Sequence, residues 1–469
     1  MTEPTVRLKP LKGEASRIFK LCQEKDRQTA LQGLELAAAL GATMEGVLEG
    51  VTVDAEGQVV RSKRFTGNDK TQPVLDALLL QQLGLAAKGT PEAKLRDAIT
   101  TLVCKVCVLP DLSAFAGLTS ARITLDPDFS GQDVAPLGSM ARLQSLVLTT
   151  NLMYGRAHAT LPSLKGLDAP RLQTLDASAL QLADISGLSG CTRLQRVDLR
   201  GNAKLTSIAA LEASAGSLEW LDIAYCPEIA SLKPLREATR LRWLDIGGLK
   251  KIKNLSGLKK LKRLEAIELS ACEALTSLED LPLKQMCNFL LEPGKAPSDY
   301  LVLSQLKALR SLEGLPPLAP HIKELWINRA DALTDIGGLK PIAGSIEELR
   351  LEQLAITDLS VLASMKQLRI LQISQCPELV DASALEGLEH LTSVKITGCP
   401  KLEALPPAWK SSVKTLVLTG CKALQPIKVL PPGIDPKTIE IDDRKLLPRA
   451  KPAKALKSDV GAVWKLLSS

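Results

Sequence analysis

Apolar and polar residues alternate in a pattern that recurs along the chain. The segment from Leu218 to Ile229 reads LEWLDIAYCPEI, and it returns as LRILQISQCPEL from Leu368 to Leu379 and again from Leu391 to Leu402. Apolar residues two apart lie on one side of a β-strand, and the residues between them lie on the other. The pattern therefore predicts a series of short strands, each with one buried face.

The spacing of these copies predicts how the strands assemble. Aligned on the first apolar residue, the units begin at Thr101, Ser120, Leu143, Leu172, Leu194, Leu218, Leu241, Leu264, Ser298, Ile322, Ile346, Leu368, Leu391, Val413 and Pro436. Most lie 22 to 24 residues apart, and the step of 34 residues after Leu264 predicts an insertion near residues 283–296. One unit cannot bury its apolar face alone, so stacked units would share an aliphatic core.

The consensus L-x-x-L-x-L-x-x-(N/C)-x-x-L resembles the leucine-rich repeat. A second apolar run in each unit resembles the subclass of phosphatase-regulatory subunits and internalins. The ninth residue is usually Asn in that subclass, and here it is Asn151, Asn202, Cys226, Cys272, Cys376, Cys399 or Cys421. The resemblance implies an α/β solenoid of horseshoe form, with a parallel β-sheet on the concave face and short 3₁₀ turns on the convex face. About 15 repeats would occupy residues 101–442.

The flanking segments lack the repeat. Helical patterns over Asp26–Leu48, Gln72–Leu85 and Pro91–Ile99, with a hairpin turning at Glu56-Gly57, predict that residues 1–100 form a mostly helical N-terminal cap. Residues 443–469 are a basic C-terminal tail, in which Asp459–Leu467 reads as a short helix. We expect that helix to cover the last repeat rather than to dock a partner.

Composition narrows the class of protein. The net charge of +7 is a minor pointer to an anionic partner, and three histidines leave little room for acid–base or metal chemistry. The chain shows no phosphate-binding loop, nucleophile elbow, zinc-protease helix or kinase motif. Without a secretory signal or a transmembrane run, the expectation is a cytoplasmic protein with no cofactor and no metal.

The cysteines allow two interpretations. Cys376, Cys399 and Cys421 occupy successive repeats, which could indicate metal or redox chemistry. Ligands stacked along one line do not form a tetrahedron without distortion, whereas Cys is a small residue that buries readily. The sequence therefore favours reduced thiols that fill a repeat position.

Candidate binding residues lie at the third, fifth and eighth positions of the repeats, on the side of the strand away from the core or at its edge. Acidic residues take the fifth position in five consecutive repeats, and aromatic or basic residues take several neighbouring positions. The acids are Asp176, Asp198, Asp222, Asp245 and Glu268; the others are Arg196, Trp220, Tyr225, Trp243, Tyr300 and Trp326. Exposed aromatic residues are typical binding anchors, while neighbouring like charges cost stability. A second interpretation is that repeat duplication copied the acids and that Arg196, Arg200 and Arg242 neutralise them.

The basic stretch from Lys250 to Arg263 is another candidate surface. Nucleic acid would suit its charge, but no aromatic residues interleave it as stacking platforms. The sequence favours a solvated outer face and does not favour a nucleic-acid partner.

These patterns predict a non-enzymatic module that binds a protein partner with basic and apolar groups on the concave face of its central repeats. The alternative is an effector or enzyme whose activity resides in residues 1–100, with the repeats used for targeting. Cys22 is the sole cysteine of that segment, and no histidine accompanies it there. The sequence does not indicate the oligomeric state.

Overall fold

The structure is a computed structural model. It describes residues 13–448 except 41–43, 45, 62, 69, 130, 151–158, 283–299, 318–321 and 411–412. The predicted insertion, Asn151 and the predicted C-terminal helix therefore lie outside the described residues, as does most of the basic tail. The chain forms two compact units, Met1–Ile229 with Pro234–Leu241 and Ala230–Lys233 with Arg242–Ser469.

The described residues from 13 to 100 form four α-helices and one short pair of antiparallel strands. The elements are α1 (Gly13–Cys22), α2 (Arg27–Leu40), β1 (Thr52–Val53), β2 (Val59–Val60), α3 (Gln72–Gly84) and α4 (Pro91–Asp97). The sequence missed α1, which buries only Ile18, Phe19 and Cys22 along its ten residues. The prediction that the second helix reaches Leu48 is wrong, because Gly46–Gly50 form turns in which both glycines have a φ of +77°.

These elements pack on the first strand of the repeats. The Asp76 side chain of α3 accepts a hydrogen bond from the backbone N–H of Lys105 at 2.9 Å, and Gly57 in the β1–β2 turn accepts from Thr101. Arg61 pairs with Asp76, whose side chain is buried. The N-terminal segment thus supplies partners to a strand that would otherwise be an edge.

Six parallel strands follow in the first unit, each paired with the next along the chain. They are β3 (Thr101–Val106), β4 (Ser120–Leu125), β5 (Ser145–Thr150), β6 (Thr174–Asp176), β7 (Arg196–Asp198) and β8 (Trp220–Asp222). The register corrects the first two repeats. Ser120 pairs with Ser145, the third residue of its repeat, so these repeats begin at the buried Ile99 and Leu118.

The second unit continues the same arrangement. Its strands are β9 (Trp243–Asp245), β10 (Ala266–Glu268), β11 (Tyr300–Ser304), β12 (Glu324–Ala330), β13 (Glu348–Leu354), β14 (Ile370–Ser374), β15 (Ser393–Thr397), β16 (Thr415–Thr419) and β17 (Glu440–Ile441). β9 pairs with β10, and β11 to β17 pair in chain order, all in parallel.

Burial follows the predicted alternation. The fourth and sixth residues of most repeats are buried; Leu221, Ile223, Leu325 and Ile327 are at most 1% exposed. The third and fifth residues lie on the opposite side of the strand, which we call the open face. The aliphatic core of each unit is therefore built from one or two layers of leucine-type residues contributed by every repeat.

Short 3₁₀ turns connect several strands, as the repeat pattern predicted. They include Ser186–Gly190, Ala209–Ser214, Gly337–Ile342, Ser360–Ser364 and Ser383–Gly387. The first residue of such a turn often donates its backbone N–H to an aspartate two residues earlier. Asp184 accepts the N–H of Ser186, and Asp381 accepts the N–H of Ser383. Two hydrogen-bonding serines, Ser163 first and then Ser186, hold the pKa of Asp184 below its ordinary value. The structure confirms the leucine-rich-repeat fold, while the domain limits at residues 100 and 442 stay predictions.

Candidate interaction surface

In several repeats a polar ninth residue holds the backbone as the chain leaves the strand. The Asn202 amide donates to the carbonyls of Ala177 at 3.0 Å and Leu199 at 2.6 Å, and its oxygen accepts from the N–H groups of Leu180 and Leu182. All of these groups are buried. Asn202 thus satisfies four backbone groups that water cannot reach.

Cysteine takes over part of this role. The thiols of Cys226, Cys272 and Cys421 donate to the carbonyls of Leu199, Ile246 and Ile396, each the sixth residue of the preceding repeat. Burial raises the pKa of Cys226 and of Cys272 to about 12. A hydrogen bond between the thiols of Cys376 and Cys399 lowers the pKa of Cys376 and raises that of Cys399.

The thiols of these ninth-position cysteines are structural, because they bond to the backbone or to each other inside the repeats. The nine cysteines within the described part of the chain are buried and free of disulfides. Across the same residues, no group of three or more His, Cys, Asp or Glu side chains could hold a metal ion.

The acidic row has a structural role that the sequence did not reveal. Each fifth-position carboxylate accepts a hydrogen bond from the backbone N–H two residues later, at distances from 2.7 to 3.2 Å. The donors to Asp176, Asp198, Asp222, Asp245 and Glu268 are Ser178, Arg200, Ala224, Gly247 and Ser270. This local bond offers the backbone an alternative to continuing the ladder.

Strand length differs between repeats with and without these acids. β6 to β10, which carry the five acids of the row, are three residues long and end at the acid. β11, β14, β15 and β16, with Val302, Gln372, Lys395 and Val417 at that position, run for five residues. Backbone bonds between neighbouring repeats still continue past the acid, since the N–H of Ala177 donates to the carbonyl of Asp198 and that of Ala179 donates to the carbonyl of Arg200. The carboxylate bond therefore accompanies the end of the regular strand without separating the neighbouring repeats.

Two of the acids are hidden from solvent. Asp222 is 1% exposed and Asp245 is 7% exposed, whereas Asp176, Asp198 and Glu268 are partly exposed. Arg200, which follows the neighbouring strand β7, forms an ion pair with Asp222 through its guanidinium. Of the three arginines expected to neutralise the row, Arg200 does so, while Arg242 pairs instead with Glu265.

Asp198 lies between Asp176 and Asp222 in the register of β6, β7 and β8. Burial, and then repulsion by Asp222 and Asp176, raises the pKa of Asp198 to about 6 against the lowering effect of the Arg200 N–H and guanidinium. The open face of the first unit thus carries a carboxylate that changes charge between pH 5 and 7.

In the first unit, an arginine covers the aromatic residue of the open face. The Arg196 guanidinium lies 3.8 Å from the centre of the Trp220 ring, and the two residues are register partners on β7 and β8. Both side chains are partly exposed. A cation over an indole ring fixes the orientation of both groups.

A larger cluster lies on the open face of the second unit. The rings of Tyr300 and Trp326 are stacked, 5.3 Å apart at 16°, and the Arg350 guanidinium lies 4.3 Å from the Trp326 ring centre. Glu348 accepts a hydrogen bond from the Arg350 Nε at 2.6 Å. We call Tyr300, Trp326, Arg350 and Glu348 the stacked cluster. Sequence reasoning missed Arg350 and Glu348, although Arg350 takes the same repeat position as Trp326.

Trp243 and Tyr225 complete the candidate residues. Trp243 is partly buried on β9 beside Ala266 of β10. Tyr225 is 64% exposed and has a φ of +56°. That backbone conformation is shared by other eighth residues, including Ala179, Gly201 and Gln375, so it belongs to the repeat and not to Tyr225 alone.

The basic stretch after β9 has acidic partners. Lys250 lies 3.6 Å from Glu273, and Lys259 lies 3.3 Å from Asp280, both in the next repeat. Lys307 also pairs with Glu273, whose pKa is lowered first by its hydrogen bond to Lys307. Part of the positive charge is therefore matched within the second unit.

Comparisons with known proteins concern the fold. No protein-family model and no curated protein matches the chain. Among solved structures, an internalin InlF from Listeria monocytogenes is 17% identical, with 76% of this chain and 88% of that chain covered and a TM-score of 0.41. InlJ from the same organism, whose functional domain includes a cysteine ladder, is 16% identical, with 90% and 78% covered and a TM-score of 0.35.

A plant receptor gives a similar result. The peptide hormone receptor RGFR1, solved in complex with RGF2, is 14% identical, with 71% of this chain and 70% of that chain covered and a TM-score of 0.30. The parallel strands and the buried leucine layers of successive repeats together show that this chain has the leucine-rich-repeat fold.

Proposed function

We propose that this protein is an interaction module that binds a protein partner on the open face of its central repeats. The stacked cluster is the observation that carries the proposal. Trp, Tyr and Arg are the residue types that contribute most to protein–protein binding, and here they are held in place before any partner arrives. Because their rotamers are fixed by stacking and by Glu348, binding would cost little side-chain entropy.

The first unit would add a second anchor. Trp220 is already oriented by Arg196, and the partly exposed Asp176 and Asp198 lie on the neighbouring strands. Basic groups of the partner would meet Asp176 and Asp198, while Asp222 and Asp245 support the backbone from buried positions. The proposed partner is therefore a protein surface that offers apolar groups and a few cations.

The alternative, an enzyme in residues 1–100, gains no support from the cysteine of that segment. Cys22 is fully buried, and burial raises its pKa to about 12, so that its thiol is protonated at neutral pH. The proposal is accordingly non-enzymatic. The free thiols of the described cysteines also support the cytoplasm as its location. None of the described helices is long and apolar enough to cross a membrane.

The test is capture from the native lysate by matched variants. We expect Trp220→Ala with Trp243→Ala, and separately Trp326→Ala, to lose a protein that the wild type retains, because each removes an aromatic anchor. The control is Val380→Ala with Val429→Ala, two exposed valines outside the strands. Thermal unfolding confirms that all variants are folded. Equal capture by wild type and tryptophan variants would refute the surface.

A further inference from the structure

A groove in the N-terminal helical segment lies outside the surface described above. It has a volume of about 480 Å³ and is lined by α2, by α3 and by the loop after β3. From α3 it takes Ala77, Gln81, Gly84 and Leu85, whose spacing places them on one helical face. Leu34 and Ala38 of α2 supply a second wall, and Val108 to Pro110 supply part of the third.

The walls of this groove are apolar and stay partly exposed. Val108 is 54% exposed and Leu85 is 38% exposed. The lining residues Ala38, Ala77, Gly84 and Ala114 have small side chains or none, so a helix backbone could approach closely. Two helical walls with small residues between them match the way amphipathic helices are bound in grooves.

The polar side chains of the groove are acidic or can accept a hydrogen bond, and one oxygen of Asp111 already accepts from the N–H and the hydroxyl of Ser113. The lining includes the carboxylates of Glu35 and Asp111 and no basic side chain among the described residues. The Oε1 atom of Gln81 is buried and has no hydrogen-bond partner within the described part of the chain. A buried acceptor without a donor is costly, so a ligand that supplies one would gain free energy.

We infer that this groove binds an amphipathic helix of a partner protein, with leucine-type residues in the apolar floor and lysine or arginine beside Glu35 and Asp111. One donor of that helix would reach Gln81. The site is independent of the open face, and it would make the N-terminal segment a second docking element.

The probe is a fluorescein-labelled helical peptide of about four turns, built from leucine, alanine and lysine, and measured by fluorescence anisotropy on the full chain. Its counterpart replaces each lysine by glutamate. We expect the lysine peptide to bind and the glutamate peptide to bind at least about 10-fold more weakly, because Glu35 and Asp111 repel it.

Matched variants locate the binding. Ala38→Trp fills the groove and Glu35→Lys reverses its charge, so each should weaken the lysine peptide about 10-fold or more. Ala39→Trp, one residue along the same exposed helix, and Glu24→Lys should bind as wild type does. Gln81→Met should weaken binding without lowering thermal stability, because it removes an acceptor that has no partner.

Three results would overturn the inference. They are no saturable binding by the wild type, equal binding of both peptides, and unchanged binding by Ala38→Trp. A concentration-dependent dimer that Ala38→Trp abolishes, seen by sedimentation, would instead assign the groove to a second copy of the chain.

Discussion

At the scale of single residues, side chains on the open face combine support of the backbone with availability to a partner. Asp222 is committed to the N–H of Ala224 and to Arg200, whereas Asp198 accepts one backbone bond and stays partly exposed. A fifth-position acid therefore cannot be assigned to binding from its position alone. Burial and the bonds already made within the chain determine which of these carboxylates a binding protein can reach.

Asp198 gives a pH-dependent prediction. Its pKa in the folded protein, about 6, lies above the ordinary value of 3.8, so folding favours the protonated form. The stability that this group contributes is fully present below about pH 4 and is lost as the pH rises toward 6. Asp198→Asn keeps the acceptor for Arg200 but cannot ionise. We expect Asp198→Asn to gain free energy of unfolding relative to wild type between pH 4 and pH 7.

Urea unfolding of both proteins across that range measures the difference. Because the remaining titratable groups are common to both, they cancel to first order. A difference between the two proteins that does not change with pH would contradict the assignment to Asp198.

At the scale of the element, each repeat from β6 to β16 is a strand followed by a turn whose eighth residue is left-handed. Gly201, Gly248, Gly398 and Gly420 take this position without strain, while Ala179 and Ala271 take it with φ near +60°. The recurrence of glycine at the eighth position was visible in the sequence as a signal for this turn. The prediction of the fold used the ninth residue, on which the resemblance to the leucine-rich repeat depends, and did not use the eighth.

A pair of neighbouring turns tests this conformation. Ala179→Gly should raise the free energy of unfolding by about 0.5–1 kcal/mol, because it relieves the left-handed alanine. Gly201→Ala should lower it by about 1 kcal/mol, since an added Cβ meets nothing closer than 3.7 Å and only the backbone is strained. Chemical denaturation measures both. A stabilising Gly201→Ala would show that the turn does not need glycine's freedom.

Strand placement was predictable from the sequence, but strand length was not. Alternation at Leu221 and Ile223 identifies the buried face directly. β8 ends at Asp222, whose carboxylate accepts the N–H of Ala224, and a pattern of apolar residues does not encode that contact. Likewise, the sequence pattern predicts repeats that begin at Thr101 and Ser120, and the strand register moves these starts to Ile99 and Leu118.

At the scale of the molecule, two compact units carry the same repeat with different open faces. The first presents Arg196 over Trp220 among carboxylates, and the second presents the stacked cluster. Sequence reasoning found the aromatic members because they are rare in this chain. It could not pair Trp326 with Arg350, since their contact depends on the register of β12 and β13.

The central claim is that the partner covers the open face. Hydroxyl-radical footprinting of the captured complex measures this directly, residue by residue. We expect Trp220, Tyr300 and Trp326 to be protected in the complex, while the exposed Val380 and Val429 react as in the free protein. Unchanged oxidation of all three aromatic residues in the presence of saturating partner would contradict the account.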